Sequence, residues 1–418
     1  MSFRTRAIAL VTVTAATLAT TGALLLAAPS AQAAPIPPGT PIEDTLFGMH
    51  VVDLQRGNWP TIPIGSIRLW DNDTTWSVLE PAPDQYNWDK LDAAVATAQQ
   101  HDVNDILFVL AGTPAWATDD PTSGGAAGVL PGAAGMPRNI ADWDDFVTQV
   151  VTRYKGRISA YQIWNEANLS TFSTGTPEEM AELTKHTYDI VKAIDPKATV
   201  VAPSTGTRLG GPFKKFYPKY LQELEKRGWP IDVWAVHTYP HSRGTPVDRA
   251  NLAKTYLAML ESTNAPTKPI WDTENNFGLA GPGPTNPDQD ITGPKAAQWT
   301  ARTYLDALRL GFSRVYWYSW SPDLDLLGIQ MNTGSVAAVA LKTLESWITG
   351  ATFQKCSTKG KVVTCGFKRN GKAFSLVWSE GKPTNVKVGA FSNKCELDGR
   401  CAPISRKKLK VIGPTYFQ

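Results

Sequence analysis

Short apolar runs alternate with longer amphipathic ones along most of the chain, after a proline-rich lead, APIPPGTPIE. Eight of the short runs read as strands: 46–51, 66–70, 105–110, 160–164, 199–202, 233–237, 269–271 and 314–317. Each is rich in β-branched, aromatic or leucine residues, as a parallel strand buried on both faces should be. The intervening runs carry a helical period. Ile140, Trp143, Phe146, Val147, Val150, Val151 and Tyr154 form one apolar stripe, which Gly156 ends. Thr176-Pro177-Glu178-Glu179 is a helix start: Thr176 caps, Pro177 suits the first turn and Glu179 closes a capping box. Met180, Leu183, Ile190, Val191 and Ile194 continue that helix, and Asp195-Pro196 stops it. Residues 88–100, 214–226, 247–262 and 294–310 read as further helices. Eight strands alternating with helices over residues 34–349 predict a (β/α)8 barrel in the α/β class. An open doubly wound sheet would often carry a glycine-rich turn after its first strand, and LFGMHVVD has none.

The texture changes at residue 350. Apolar runs there are split by Asn370-Gly371 and by Gly381-Lys382-Pro383, and Asn-Gly between such runs is a strong hairpin signal. The tail LKVIGPTYFQ reads as one more strand. Residues 350–418 are therefore expected to form a small β-sandwich. The four cysteines all lie in it, at 356, 365, 395 and 401. Three pairings are possible, and proximity favours Cys356–Cys365 and Cys395–Cys401. Zinc is the rival reading, but there is no C-x-x-C spacing.

Charge sharpens the division. Residues 350–418 carry 14 Lys/Arg and 3 Asp/Glu, whereas residues 34–349 carry 25 and 35. The two parts could attract each other, or the basic one could hold an anionic cell-wall polymer. Nothing resembles a nucleic-acid-binding motif. Residues 1–33 differ again: Arg4 and Arg6 precede an uncharged Ala/Leu/Thr/Val stretch that ends in Ala31-Gln32-Ala33. This reads as a secretory signal cleaved between Ala33 and Ala34, with a membrane anchor as the alternative. The expectation is an exported monomer.

Two of the strand candidates lead into glutamates. YQIWNEAN places Glu166 at the end of the fourth, and KPIWDTENNFG places Glu274 at the end of the seventh. A lone carboxylate is costly at a buried strand end. Barrel active sites lie at the C-terminal strand ends, and strands four and seven face each other across the mouth. Two carboxylates there can flank a sugar. Retaining hydrolysis needs such a pair about 5–5.5 Å apart, one as acid/base and one as nucleophile, and it needs no metal or cofactor. Asp272 sits two residues before Glu274 and is a weaker nucleophile candidate.

IWNEAN followed by WDTENNFG resembles the clan A retaining glycoside hydrolases, most of all glycoside hydrolase family 39 and its bacterial exopolysaccharide-hydrolase members. The resemblance covers most of residues 45–349. It implies that Glu166 is the acid/base, Glu274 the nucleophile and Asn165 the partner of the sugar 2-hydroxyl. Arg68 in SIRLWD matches the clan's strand-two arginine, Tyr239 in AVHTYP the donor to the nucleophile, and His237 a substrate-side residue. Trp317 in VYWYSW matches the aromatic floor under the sugar. Each has a structural alternative. Arg68 could pair with Asp71 or Asp73, Tyr239 could anchor a loop, and His237, Trp317 and His50 could be core.

The chain has 15 Trp, and glycan sites favour aromatic faces, so Trp116 after strand three is a further groove candidate. Residues 113–137 and 278–293 are long Gly/Ala/Pro-rich connections, expected to wall a cleft and to suit endo action on a polysaccharide. Two other readings remain: a non-catalytic glycan-binding protein on a barrel scaffold, and a wall transglycosylase.

Overall fold

The computed structural model describes residues 36–70, 72–124, 132–281, 283, 287–320, 326–389 and 391–418. The expected export signal and Asp71 lie outside them. Eight parallel strands form one sheet: β1 (Phe47–Val51), β2 (Ser66–Leu69), β3 (Ile106–Leu110), β4 (Ala160–Ile163), β5 (Thr199–Val201), β6 (Trp234–His237), β7 (Ile270–Asn275) and β8 (Arg314–Trp320). The sheet runs β5-β4-β3-β2-β1-β8-β7-β6, and two parallel bridges, Val201 to Val233 and Gly206 to His237, close the seam into a barrel. Residues 52–65, between β1 and β2, hold only a single 3₁₀ turn. The later crossovers carry α1 (Trp76–Leu79), α2 (Asp89–Gln100), α3 (Ile140–Arg153), α4 (Pro177–Ile194), α5 (Gly210–Lys226), α6 (Pro246–Ser262), α7 (Gly293–Arg309) and α8 (Val336–Ile348).

Local sequence explains several boundaries. Thr176 and Thr245 each cap a helix through a complete capping box with proline in the first turn. The stripe on α3 is buried as expected. Strand ends were less legible. β7 runs four residues past the apolar stretch 269–271, so Glu274 lies inside the strand rather than after it. β8 likewise extends to Trp320. Polar side chains ended the sequence pattern early, but the strand continues through them: Glu274 points into the mouth onto Arg68, and Asp272 points out to Arg249.

The barrel interior is filled by Leu107, Ala160, Val201, Val233, Ala235, Trp271 and Tyr316. Gly48 faces this layer because a Cβ there would lie 2.6 Å from the Tyr316 ring. Residues 352–418 form a six-stranded antiparallel sheet and a two-stranded ribbon, a sandwich-like unit. Its apolar layer includes Val377, Val388, Val411 and Phe417. The hairpin turns at Asn370-Gly371, both at positive φ as that turn requires. The tail is two strands rather than one, Lys408–Val411 and Thr415–Phe417, broken at Gly413-Pro414. Disulfides join Cys356 to Cys365 and Cys395 to Cys401. The unit is tied to the barrel by Arg309 on Glu380 at 2.8 Å and by Arg369 on the carbonyls of Ser346, Trp347 and Thr349. Among the described residues no helix is long and apolar enough to cross a membrane.

One buried pair outside the mouth holds β7 to its helix layer. Asp272 is fully buried against the Arg249 guanidinium of α6 and accepts a hydrogen bond from Thr238. Removing one partner of a buried pair strands the other charge, at a cost of about 3–5 kcal/mol. Arg249→Met is therefore expected to lower unfolding free energy by about that amount in urea denaturation; a loss under about 1 kcal/mol would show the pair to be dispensable.

Candidate active site

β4 ends at Ile163, and the chain then makes a sharp turn in which Trp164 and Glu166 both take positive φ, 57° and 41°. Such a conformation costs about 1–3 kcal/mol for a bulky residue and needs outside support. The Trp164 amide donates to Leu110 O at 2.8 Å, its indole donates to Phe172 O at 2.8 Å, and the Glu166 amide donates to Ser204 Oγ at 2.9 Å. Asn168 and Gly206 exchange two hydrogen bonds of 3.0 Å, which bind this turn to the loop after β5. Gly206 leaves room there for the carboxylate, since a Cβ would sit 3.0 Å from Glu166 Oε1.

β7 delivers Glu274 differently. Its register against β6 and β8 shifts between Asp272 and Asn275. The irregularity turns Thr273 and Glu274 inward while Asp272 points out to Arg249. Regular alternation would have placed Asp272 beside Glu274; the shift overturns that expectation, and Asp272 is not at the mouth.

Arg68 sits at the centre, fully buried. Its Nη1 donates to Glu274 Oε1, its Nε to Gln162 Oε1 and its Nη2 to Asn165 Oδ1, each at 2.8 Å. Of the two aspartates considered for it, Asp73 binds Lys90 instead, and Asp71 lies outside the described residues. The Tyr239 hydroxyl donates to Glu274 Oε2 at 3.2 Å. A cation and a phenol thus face Glu274, which favours its ionised form.

Glu166 has the opposite surroundings. Desolvation pushes its carboxyl up to about 7, with the more remote charges of Arg208 and Arg68 pulling the other way. His237 lies between the two glutamates, its Nδ1 3.1 Å from Glu166 Oε1 and 3.4 Å from Glu274 Oε2. Burial lowers its pKa to about 3, against the pull of Glu274, so the ring is neutral at pH 7. These contacts are therefore hydrogen bonds rather than ion pairs. His50 is buried at the end of β1, with Nε2 3.0 Å from Thr273 O and its pKa held well below the usual value by burial and by Arg68.

Seven of the sequence-predicted residues thus converge: Glu166, Glu274, Asn165, Arg68, His237, Tyr239 and His50. Two do not join them. Trp317 is fully buried in the layer between strands and helices, packed with Met49 and Phe47. Strand alternation sends Tyr316 and Tyr318 inward and Trp317 outward. The half-exposed Tyr318 takes the aromatic place at the mouth, 4.9 Å edge-on from His50 and packed with Tyr239. Trp116 donates its indole N–H to Glu80 O and packs edge-on against Trp76. It belongs to the wall after β3 and contacts neither glutamate. Sequence reading also missed Gln162 and Arg208. Gln162 was detectable as the polar residue of AYQI; Arg208 lies in a loop that offered no periodic signal.

The nearest donor atoms of Glu166, His237 and Glu274 lie within 4.8 Å of one another, and that spacing also suits a cation. A second such cluster, Glu80, Asp84 and Asp145, lies away from the mouth and is partly exposed. For two carboxylates of unlike protonation the arrangement suits proton donation by one and nucleophilic or charge-stabilising action by the other.

No curated protein matches the chain. Solved structures do match its fold. A family 39 glycoside hydrolase from the gut symbiont Bacteroides cellulosilyticus WH2 is 18% identical with a TM-score of 0.64, covering 90% of this chain and 82% of that one. A monomeric beta-xylosidase from Caulobacter crescentus CB15 is 14% identical at TM-score 0.63, covering 91% and 97%. A GH30 endoxylanase from Clostridium papyrosolvens C71 is 15% identical at TM-score 0.57, again covering 91% and 97%. The model of the glycosyl hydrolase catalytic core matches residues 130–338, a span that contains Glu166, His237, Tyr239 and Glu274. That span is half of the 418 residues, and the protein belongs to the glycosyl hydrolase catalytic core family, a glycoside hydrolase acting on a carbohydrate.

Proposed function

We propose that the protein is an exported retaining glycosidase that cleaves a polysaccharide internally by double displacement. The reading rests on one observation: two glutamates within 4.8 Å of a shared histidine nitrogen and of each other, in environments that separate their protonation states. In the first step Glu274, ionised beside Arg68, attacks the anomeric carbon. Glu166, protonated in its desolvated position, gives its proton to the departing oxygen. In the second, Glu166 takes a proton from water, which displaces Glu274 from the sugar. The spacing favours this route over inversion, which needs the carboxyl groups roughly 6.5–9.5 Å apart to admit a water.

Around this pair, Asn165 has its carbonyl oxygen engaged by Arg68, so its amide group is available to a sugar 2-hydroxyl. Tyr318 offers an aromatic surface. The loops after β3 and β7 would wall a cleft open at both ends, as endo action requires. The two disulfides fit an oxidising compartment. Wall association would use the ribbon Thr384–Lys387 and Lys408–Val411, where Lys387 lies opposite Lys408 and Lys410 adds a third exposed cation.

Three outcomes are expected. Glu274→Ala should lower turnover of an aryl glycoside panel by several orders of magnitude while binding persists; near-normal turnover would remove it as nucleophile. Glu166→Ala should slow cleavage least for the best leaving groups and be rescued by azide, giving a glycosyl azide of retained configuration; an inverted first-formed product by NMR would exclude double displacement. Because Glu166 must be protonated in the first step, kcat/KM should fall as pH rises through about 7; a profile flat from pH 6 to 9 would show that Glu166 is not the acid.

A further inference from the structure

Arg208 is the second cation of the mouth and is placed unlike the first. Every nitrogen of Arg68 is engaged by protein. Arg208, half-buried in the loop after β5, makes one hydrogen bond, from Nη1 to Gly281 O at 2.6 Å in the loop after β7. Among the described residues the rest of its five-donor fork has no protein partner, and no carboxylate lies within ion-pair distance. It is not a floppy surface side chain. The loop that carries it is fixed two residues earlier, where Gly206 is bonded to Asn168 and bridged to His237. Its neighbours in charge are Glu166 and Tyr239. Among the described residues, Arg68 is matched by Glu274, whereas Arg208 has no ion-pair partner.

A half-buried guanidinium without a counter-charge is costly in a free protein and useful toward a ligand that supplies one. Arg208 interacts in charge with Glu166, the acid/base of the reading above, which associates it with the leaving-group side of the cleft. We propose that Arg208 is a specificity-determining residue that binds a carboxylate on the sugar at the leaving-group side, so that the substrate is an acidic, uronic-acid-bearing polysaccharide. The inference rests on the glycosidase reading above. It agrees in sign with the excess of cations in residues 350–418, 14 Lys/Arg against 3 Asp/Glu, which would draw the same polymer to the protein.

The test uses the full chain and a panel of acidic polysaccharides (glucuronoxylan, polygalacturonate, alginate, hyaluronan), each paired with its carboxyl-reduced form. Reducing-end release gives kcat/KM for wild type, Arg208→Gln and Arg208→Lys, with thermal melting as the check on folding. Carboxyl reduction should lower wild-type kcat/KM at least about tenfold, the scale of a lost charge-assisted hydrogen bond. Arg208→Gln should erase that difference by lowering cleavage of the acidic member, and Arg208→Lys should restore part of it. Arg208→Gln should also move the basic limb of the pH profile upward, because Glu166 loses a nearby cation, whereas Arg208→Lys should not. Cleavage confined to neutral polymers, or an acidic preference that ignores Arg208, overturns the inference and leaves the glycosidase reading standing. Failure of a folded wild type to cleave any glycoside, activated aryl glycosides included, removes both.

Discussion

The ion pair between Arg68 and Glu274 is the contact on which the site depends. Both groups are buried, and a buried pair is stable only when the remaining donors and acceptors are satisfied as well. Arg68 meets that demand by reaching three elements at once: β7 through Glu274, β4 through Gln162, and the turn after β4 through Asn165. One planar side chain therefore sets the charge of one glutamate, the orientation of an amide beside the other, and the relative position of the strands that carry them. Lysine would supply the charge but not the fork.

The two glutamates then differ for reasons that belong to their backbones. Glu274 is part of a strand, and the irregularity in β7 swings it toward Arg68 and Tyr239. Glu166 rides on a turn with two positive φ values, closed over by Gly206 and short of any direct cation. Burial without a partner raises one carboxyl, and pairing keeps the other charged. His237 lies between them as a neutral ring and adds no charge of its own. The strained turn and the bulge are local departures from regular structure, and both lie where the chemistry is.

The molecule also divides its charge. The barrel segment is acidic, yet its mouth contains two buried or half-buried arginines, and the following β-unit is strongly basic. The hydrogen bonds of Arg369 to the end of α8 and the Arg309–Glu380 pair tie the two units together by directional contacts rather than by bulk attraction.

What the chain alone determined follows from periodicity and from motifs confined to single strands. Short apolar runs between amphipathic stretches marked the eight strands and most helices, Asn-Gly marked the hairpin, the NE and TEN runs located both glutamates, and SIRLWD and AVHTYP supplied Arg68, His237 and Tyr239. Those features are local, so a linear reading finds them. Only the tertiary structure decided which way the residues face. A one-residue irregularity turned Asp272 out of the site and Glu274 into it, and the phase of β8 put Tyr318 at the mouth and Trp317 in the core. A strand presents alternate residues to opposite sides, so an error of one position exchanges the two faces, and registry is fixed by neighbouring strands rather than by the strand itself. Arg208 is the extreme case: the role proposed for it rests on its lacking an ion-pair partner among the described residues, which is a property of the folded surroundings and of no stretch of sequence.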